Sequence, residues 1–114
     1  MPSSFDFVVI GGGTSGLVVA ARLSEVHHFR ILVLEAGDDH TNDPRVKTPA
    51  MWASLFGSEV DWGFNTVPQA GMNNRSVTIN QGKALGGSSA INAQIFAPPT
   101  KANPDCWETL GNFK

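Results

Sequence analysis

The chain has a single cysteine, Cys106, so no disulfide can form within it. No nucleophile–base pattern surrounds that residue, and the thiol reads as free and inert. Long hydrophobic runs are also missing: none reaches the ~18 residues a membrane helix needs. The opening "MPSSFDF" has neither a basic n-region nor an apolar h-region. These absences lead us to expect a soluble, cytoplasmic protein with no membrane partner. Charge is sparse, at 16% of residues, and nearly balanced, with a formal net charge of -2. That balance gives no electrostatic reason to expect nucleic acid as a partner. The 114 residues leave room for at most one small domain.

Glycine, by contrast, is plentiful and clustered. The chain has 12 glycines, grouped at positions 11–16 and 82–87, which points to special backbone geometry in two places. Phe7 to Ile10 is fully apolar, the pattern of a strand covered on both faces. From Thr14 to about Val26, Leu17, Val18, Ala20, Ala21 and Leu23 give a helix with one wide apolar stripe. "RILVLEAG" (Arg30 to Gly37) is a second buried strand closed by glycine. The spacing therefore predicts a βαβ unit over 5–37.

A loop and meander follow over 38–81. "DDHTNDPRVKTP" reads as an exposed loop, and "AMWASLFG" as a short helix. "DWGFNTVPQ" and "RSVTINQG" flank "AGMNN", which predicts a β-hairpin or meander. Over 82–105, "LGGSSAINAQIF" reads as a second glycine turn opening a helix, and a further helix is expected around Trp107.

Gly11, Gly13 and Gly16 satisfy G-x-G-x-x-G between a strand and a helix. The first glycine allows the tight turn, the second close approach of backbone to a pyrophosphate, and the third close helix–strand packing. The helix start offers unpaired N–H groups and a partial positive charge, with Thr14 and Ser15 placed to touch phosphate oxygens. Glu35 follows 19 residues after Gly16, the expected place for an acid that accepts from a ribose diol. Its charge would repel a ribose 2′-phosphate, which argues against NADP. This much specifies a dinucleotide and leaves NAD and FAD open.

Lys83 stands before the glycine pair Gly86–Gly87, whereas a phosphate-binding P-loop puts lysine after its last glycine. Gly86 and Gly87 allow a nest of N–H groups, and Ser88 or Ser89 could cap the helix that follows. At these residues the sequence resembles the glucose–methanol–choline (GMC) flavin oxidoreductases. The family's signature runs glycine, basic, aliphatic, two glycines, two hydroxyl residues and an aliphatic–asparagine pair, then an aromatic or alanine, a small and a polar residue at fixed spacing. Gly82, Lys83, Leu85, Gly86, Gly87, Ser88, Ser89, Ile91, Asn92, Phe96, Pro99 and Asp105 fit it. "DWGFNT" and "DCWETLGN" also resemble stretches that flank it in fungal members.

The resemblance implies an α/β fold: the N-terminal part of a Rossmann-like FAD-binding domain, with an incomplete parallel sheet and a hairpin insertion. It implies FAD, with the pyrophosphate on Gly11, Gly13, Thr14, Ser15 and Gly16 and the adenosine ribose on Glu35 beside Ala36. It brings Trp62 near the flavin. The signature loop implicates Gly86, Ser88, Asn92, Ala93, Gln94 and Ile95. Some members bind flavin covalently through a histidine where this chain has Ile91, so non-covalent binding is expected.

The family oxidises alcohols by hydride transfer to flavin, with a histidine base near the C-terminus of a much longer chain. Nothing here corresponds to that base. His27, His28 and His40 lie outside both motifs and read as solvated surface residues, so no catalytic residue is assigned. Trp52 and Trp107 read as packing residues. Asp38, Asp39 and Asp43 read as a solvated loop face whose spacing fits no calcium loop, and no metal is expected. We therefore expect a truncated FAD-binding portion, inactive alone, that works with a C-terminal polypeptide carrying the substrate domain. The rivals are a stand-alone or vestigial dinucleotide-binding module and, less consistent with the second signature, a piece of an NAD-dependent dehydrogenase.

Overall fold

The computed structural model describes residues 4–103 and 105–106. Strand β1 (Phe7–Ile10) leads through the first glycine turn into helix α1 (Thr14–Ser24), and β2 (Ile31–Leu34) returns parallel to β1. The register pairs Phe7 with Ile31 and Ile10 with Leu34. Asp6 fastens the open end: its N–H donates to the Arg30 carbonyl at 2.9 Å, and its carboxylate accepts from the Arg30 N–H at 2.7 Å. At the other end Gly11 N–H donates to the Leu34 carbonyl at 2.7 Å. The predicted βαβ order is therefore present, with the helix two residues shorter than its apolar pattern suggested.

The expectation that both strands are covered on both faces does not hold. Ile10 is 87% exposed and Val8 52%. Among the described residues the sheet has only β1 and β2, with α1 packed against them, so apolar side chains of parallel-sheet character face solvent.

The loop after β2 is more structured than its polar composition implied. Asp43 caps a one-turn helix, α2 (Pro44–Lys47), its carboxylate accepting from the Arg45 N–H at 2.8 Å with Pro44 at the first helical position. The short helix expected at "AMWASLFG" is present as a 3-10 helix, Pro49–Leu55. The main buried cluster lies here: Leu55, Val60 and Ile91, with Val46 and Ala90 packed against it.

The predicted hairpin is present. β3 (Phe64–Asn65) pairs antiparallel with β4 (Thr78–Ile79), and Asn73 and Asn74 take left-handed conformations at the turn, which asparagine tolerates better than most residues. Its arms extend toward the glycine turns through Trp62 N–H donating to Gln81 O at 2.8 Å and a bridge between Asp61 and Gly82.

The second glycine turn does not open the expected helix. Only a 3-10 turn forms, Gly87–Ala90. Left-handed backbone at Ala93 (φ 57°) and Gln94 (φ 59°) prevents its continuation. Neither serine caps it: Ser89 Oγ donates to the Gly86 carbonyl at 2.7 Å, and Ser88 Oγ donates to Gln81 Oε1 and accepts from Gly82 N–H, both at 3.1 Å. The helix expected around Trp107 lies outside the described residues.

Candidate functional site

The first glycine turn is built by close approach. A Cβ at Gly16 would lie 2.2 Å from the Gly11 carbonyl oxygen, so only glycine lets α1 start this near β1. Gly13 is the N-cap of α1, and no side chain caps the helix or places an acid in its first turn. The N–H groups that open a helix have no intrahelical partner. They and the positive end of the helix are left to face a ligand. Thr14 and Ser15 are exposed at that mouth.

Glu35 closes the floor of the turn. Its Oε2 accepts from Gly12 N–H at 2.6 Å and its Oε1 from Gly37 N–H at 3.0 Å. The Gly37 N–H foremost, with those of Gly12 and Ala36, holds the carboxyl below its ordinary range against the opposing effect of partial burial. Glu35 is thus a carboxylate at neutral pH, and each oxygen keeps acceptor capacity beyond the backbone bond it makes.

The second glycine turn lies directly against the first. Gly86 N–H donates to the Gly12 carbonyl at 2.7 Å, and Gly13 and Gly86 form a parallel bridge. At Gly87 (φ +60°) a Cβ would come within 2.8 Å of Gly13 Cα. The incoming segment is tied down on both sides: Lys83 N–H donates to Val60 O at 2.7 Å, and Leu85 N–H to Asp38 O at 3.1 Å.

Together these elements surround a cleft of about 610 Å³, within the size range of small-molecule sites. Gly11, Gly13, Thr14, Ser15, Gly16, Glu35, Ala36, Trp62 and Ser88 all line it. Gly86 stands behind that wall, bonded to Gly12. Asn92, Ala93, Gln94 and Ile95 are not brought to the cleft. They make a separate turn in which Asn92 accepts from Gln94 N–H at 2.9 Å and donates to Ile95 O at 3.0 Å. Gln94 in turn donates to the carbonyls of Val46 and Lys47.

Sequence reasoning omitted Ile10, Leu34, Gly82 and Gly87 from the lining. The first two are strand ends and the last two signature glycines, so their position beside the named residues was the available signal. It also omitted Asp61, which is 9% exposed and anchors the arm carrying Trp62. Burial opposes its charge, but the N–H groups of Gly57, Gly63 and Gln81 and the Asn80 amide outweigh it and lower the carboxyl to about 2. Trp62 itself is 44% exposed, stacked on Phe64 with centroids 5.7 Å apart, and Lys83 Nζ lies 5.0 Å from its ring centroid.

His40 is better partnered than its sequence position suggested. It lies 3.8 Å from Asp43, and His40, Asp43 and Glu59 present ligating atoms within 4.8 Å of one another. The Arg45 guanidinium bridges Asp43 and Glu59, so this group is an ion-pair network in which the cation is already supplied by the chain.

Comparison with known proteins gives the family. The GMC oxidoreductase family model matches residues 5–114. Pyranose dehydrogenase of Agaricus xanthodermus is 42% identical over 109 residues, covering 94% of this chain and 18% of that protein. The glucose oxidase-like protein fsoC of Humicola fuscoatra is 39% identical, covering 96% and 19%. Among solved structures, pyridoxine 4-oxidase from Mesorbium loti superposes with a TM-score of 0.85 at 37% identity, over 93% of this chain and 21% of that one. Formate oxidase of Aspergillus oryzae, studied for modification of its FAD, gives 0.81 at 38% identity, over 95% and 19%. The chain therefore spans about a fifth of the length of the relatives it matches. No helix among the described residues is long and apolar enough to cross a membrane.

Proposed function

The chain belongs to the GMC oxidoreductase family, and from that premise we propose that it is the FAD-binding portion of an enzyme that oxidises CH–OH groups of alcohols or sugars. The observation that carries this reading is the backbone contact between the two glycine turns, Gly12–Gly13 against Gly86–Gly87, with Glu35 beneath them. One extended dinucleotide can lie across both turns. The residues present fit such a ligand: uncapped N–H groups and hydroxyls for a pyrophosphate, a carboxylate with spare acceptor capacity for a ribose diol, and an exposed indole for an aromatic ring system.

In this reading Gly11, Gly13, Thr14, Ser15 and Gly16 bind the pyrophosphate, and Glu35 beside Ala36 orients the adenosine ribose. Trp62 and Ser88 line the part of the cleft left for the flavin. When bound, flavin supplies the capacity to accept a hydride from the substrate carbon. The chain's own work is to hold and orient that group. Ile91 is buried in the apolar cluster and has no nucleophile to offer, which favours a non-covalent complex. Among the described residues Glu35 is the one titratable side chain of the lining, and backbone N–H groups hold its carboxyl below the ordinary range, which makes it a weak base; in this reading a base and a substrate pocket come from further polypeptide.

The test is titration of the purified chain with FAD. The expected result is a saturable complex whose flavin spectrum survives gel filtration and whose cofactor is released on unfolding in acid or denaturant. Saturation by NAD in preference to FAD would refute the reading.

A further inference from the structure

Asp61 is the one buried charged side chain among the described residues, and four donors converge on it. Oδ1 accepts from the N–H groups of Gly63 and Gln81, both at 3.0 Å. Oδ2 accepts from Gly57 N–H at 2.9 Å and from the Asn80 amide at 2.5 Å. The donors come from both arms of the hairpin and from the turn before it. A buried carboxylate is a poor source of net stability, because desolvation consumes much of what its bonds return. What four directed bonds do supply is orientation.

The residue next to Asp61 on one arm is Trp62, and the residue after Gln81 on the other is Gly82. Both line the cleft. Asp61 therefore sits where the two cleft-forming arms are pinned together and is not itself among the lining residues. Phe64 stacked on Trp62 and Lys83 close to its ring continue the same support. The phosphates and ribose are served by the first glycine turn and Glu35, which leaves Trp62 and the Gly82–Ser88 wall for the ring system at the other end of the ligand.

We propose that Asp61 is a positioning residue for flavin recognition: it sets Trp62 and the second glycine turn, and so the chain's preference for FAD over its ADP half. This rests on the FAD reading above. The experiment measures FAD and ADP affinity for the purified chain and for Asp61→Asn, with the near-ultraviolet circular dichroism of the ligand-free proteins. In Asp61→Asn the carboxamide nitrogen faces donors it cannot accept from, and the loss of one or two positioned bonds corresponds to about tenfold in affinity.

The expected result is a selective one. FAD binding weakens about tenfold, ADP binding changes less than about twofold, and the tryptophan dichroism loses intensity. Equal weakening of both ligands, or unchanged FAD affinity, would overturn the proposal. If Asp61→Asn does not fold, Asn80→Ala removes a single donor and must show the same selectivity at roughly threefold; equal or absent effects there overturn it as well. Failure of the underlying reading is visible separately, as an unmodified chain that binds FAD no better than ADP, and would remove the proposal with it.

Discussion

Gly87 and Gly13 touch backbone to backbone, close enough that a methyl group on Gly87 would lie 2.8 Å from Gly13 Cα. Gly87 also has a φ of +60°, which an L side chain adopts at a cost of about 1–2 kcal/mol. Gly87→Ala therefore meets both strain and a clash with backbone that cannot swing aside, a total of roughly 3 kcal/mol. Gly57 supplies the control: its φ is +70° but nothing lies within 4 Å of an added Cβ. Gly57→Ala should lose only about 1–2 kcal/mol, the strain alone. Urea unfolding of the two variants checks the difference, and equal losses would show that the turns are not packed as described.

The contact between these turns was not legible in spacing. G-x-G-x-x-G and the strands around it were, because four apolar residues, a glycine burst and a helical stripe are local patterns. That Gly86 reaches Gly12 is a long-range fact which neither the local pattern nor the resemblance to a known family stated. The misread helix after Gly87 has a local cause: "SSAIN" has no strong helix signal, and Ala93 and Gln94 adopt a backbone that composition does not announce. Asp61 was passed over because its four donors are supplied mainly by backbone N–H groups, to which sequence gives no label.

Glu35 should be intolerant of its amide. Glu35→Gln keeps one acceptor oxygen, and its NH2 group must then face the N–H of Gly12 or Gly37. The expected outcome is FAD affinity lower by about tenfold or more, from a disturbed turn together with a weaker ribose acceptor. Fluorescence titration checks it, and an unchanged affinity would remove Glu35 from the ribose role.

Acid should weaken the fold in a definite window. Asp61 is lowered from 3.8 to about 2. A carboxyl with a depressed folded-state pKa contributes fully above its unfolded value, and the contribution is lost as pH falls through the folded one. The loss thus spans about pH 4 to 2 and amounts to about 2 kcal/mol for Asp61. Glu35, lowered from 4.5, adds a loss of the same sign that starts just below that value. Denaturant midpoints followed against pH should fall across this range, and Asp61→Asn should flatten the slope. Parallel curves for the two proteins would contradict the assignment.

The uncovered sheet predicts association. Among the described residues β1 and β2 each have one unpaired edge, and Ile10 and Val8 are exposed. Open apolar edges pair with other chains unless charge blocks them. Analytical ultracentrifugation should show concentration-dependent self-association of the chain, reduced by Val8→Lys. A monomer at all concentrations would mean that this face is covered.

Catalysis is the last expectation, and it turns on what lines the cleft. Removing a hydride from an alcohol requires that the hydroxyl proton leave to a base within hydrogen-bond reach. The lining offers the hydroxyls of Thr14 and Ser15, the Ser88 hydroxyl engaged with Gln81 and Gly82, and Glu35. Glu35 is held ionised by backbone donors below its ordinary range, which makes it a weak base at neutral pH. His40 lies in the Arg45 network and is not part of the lining. The purified chain loaded with FAD should therefore leave the flavin oxidised when mixed anaerobically with simple alcohols or pyranose sugars. Bleaching of the flavin band by such a substrate would show that these 114 residues carry a base and a substrate pocket of their own.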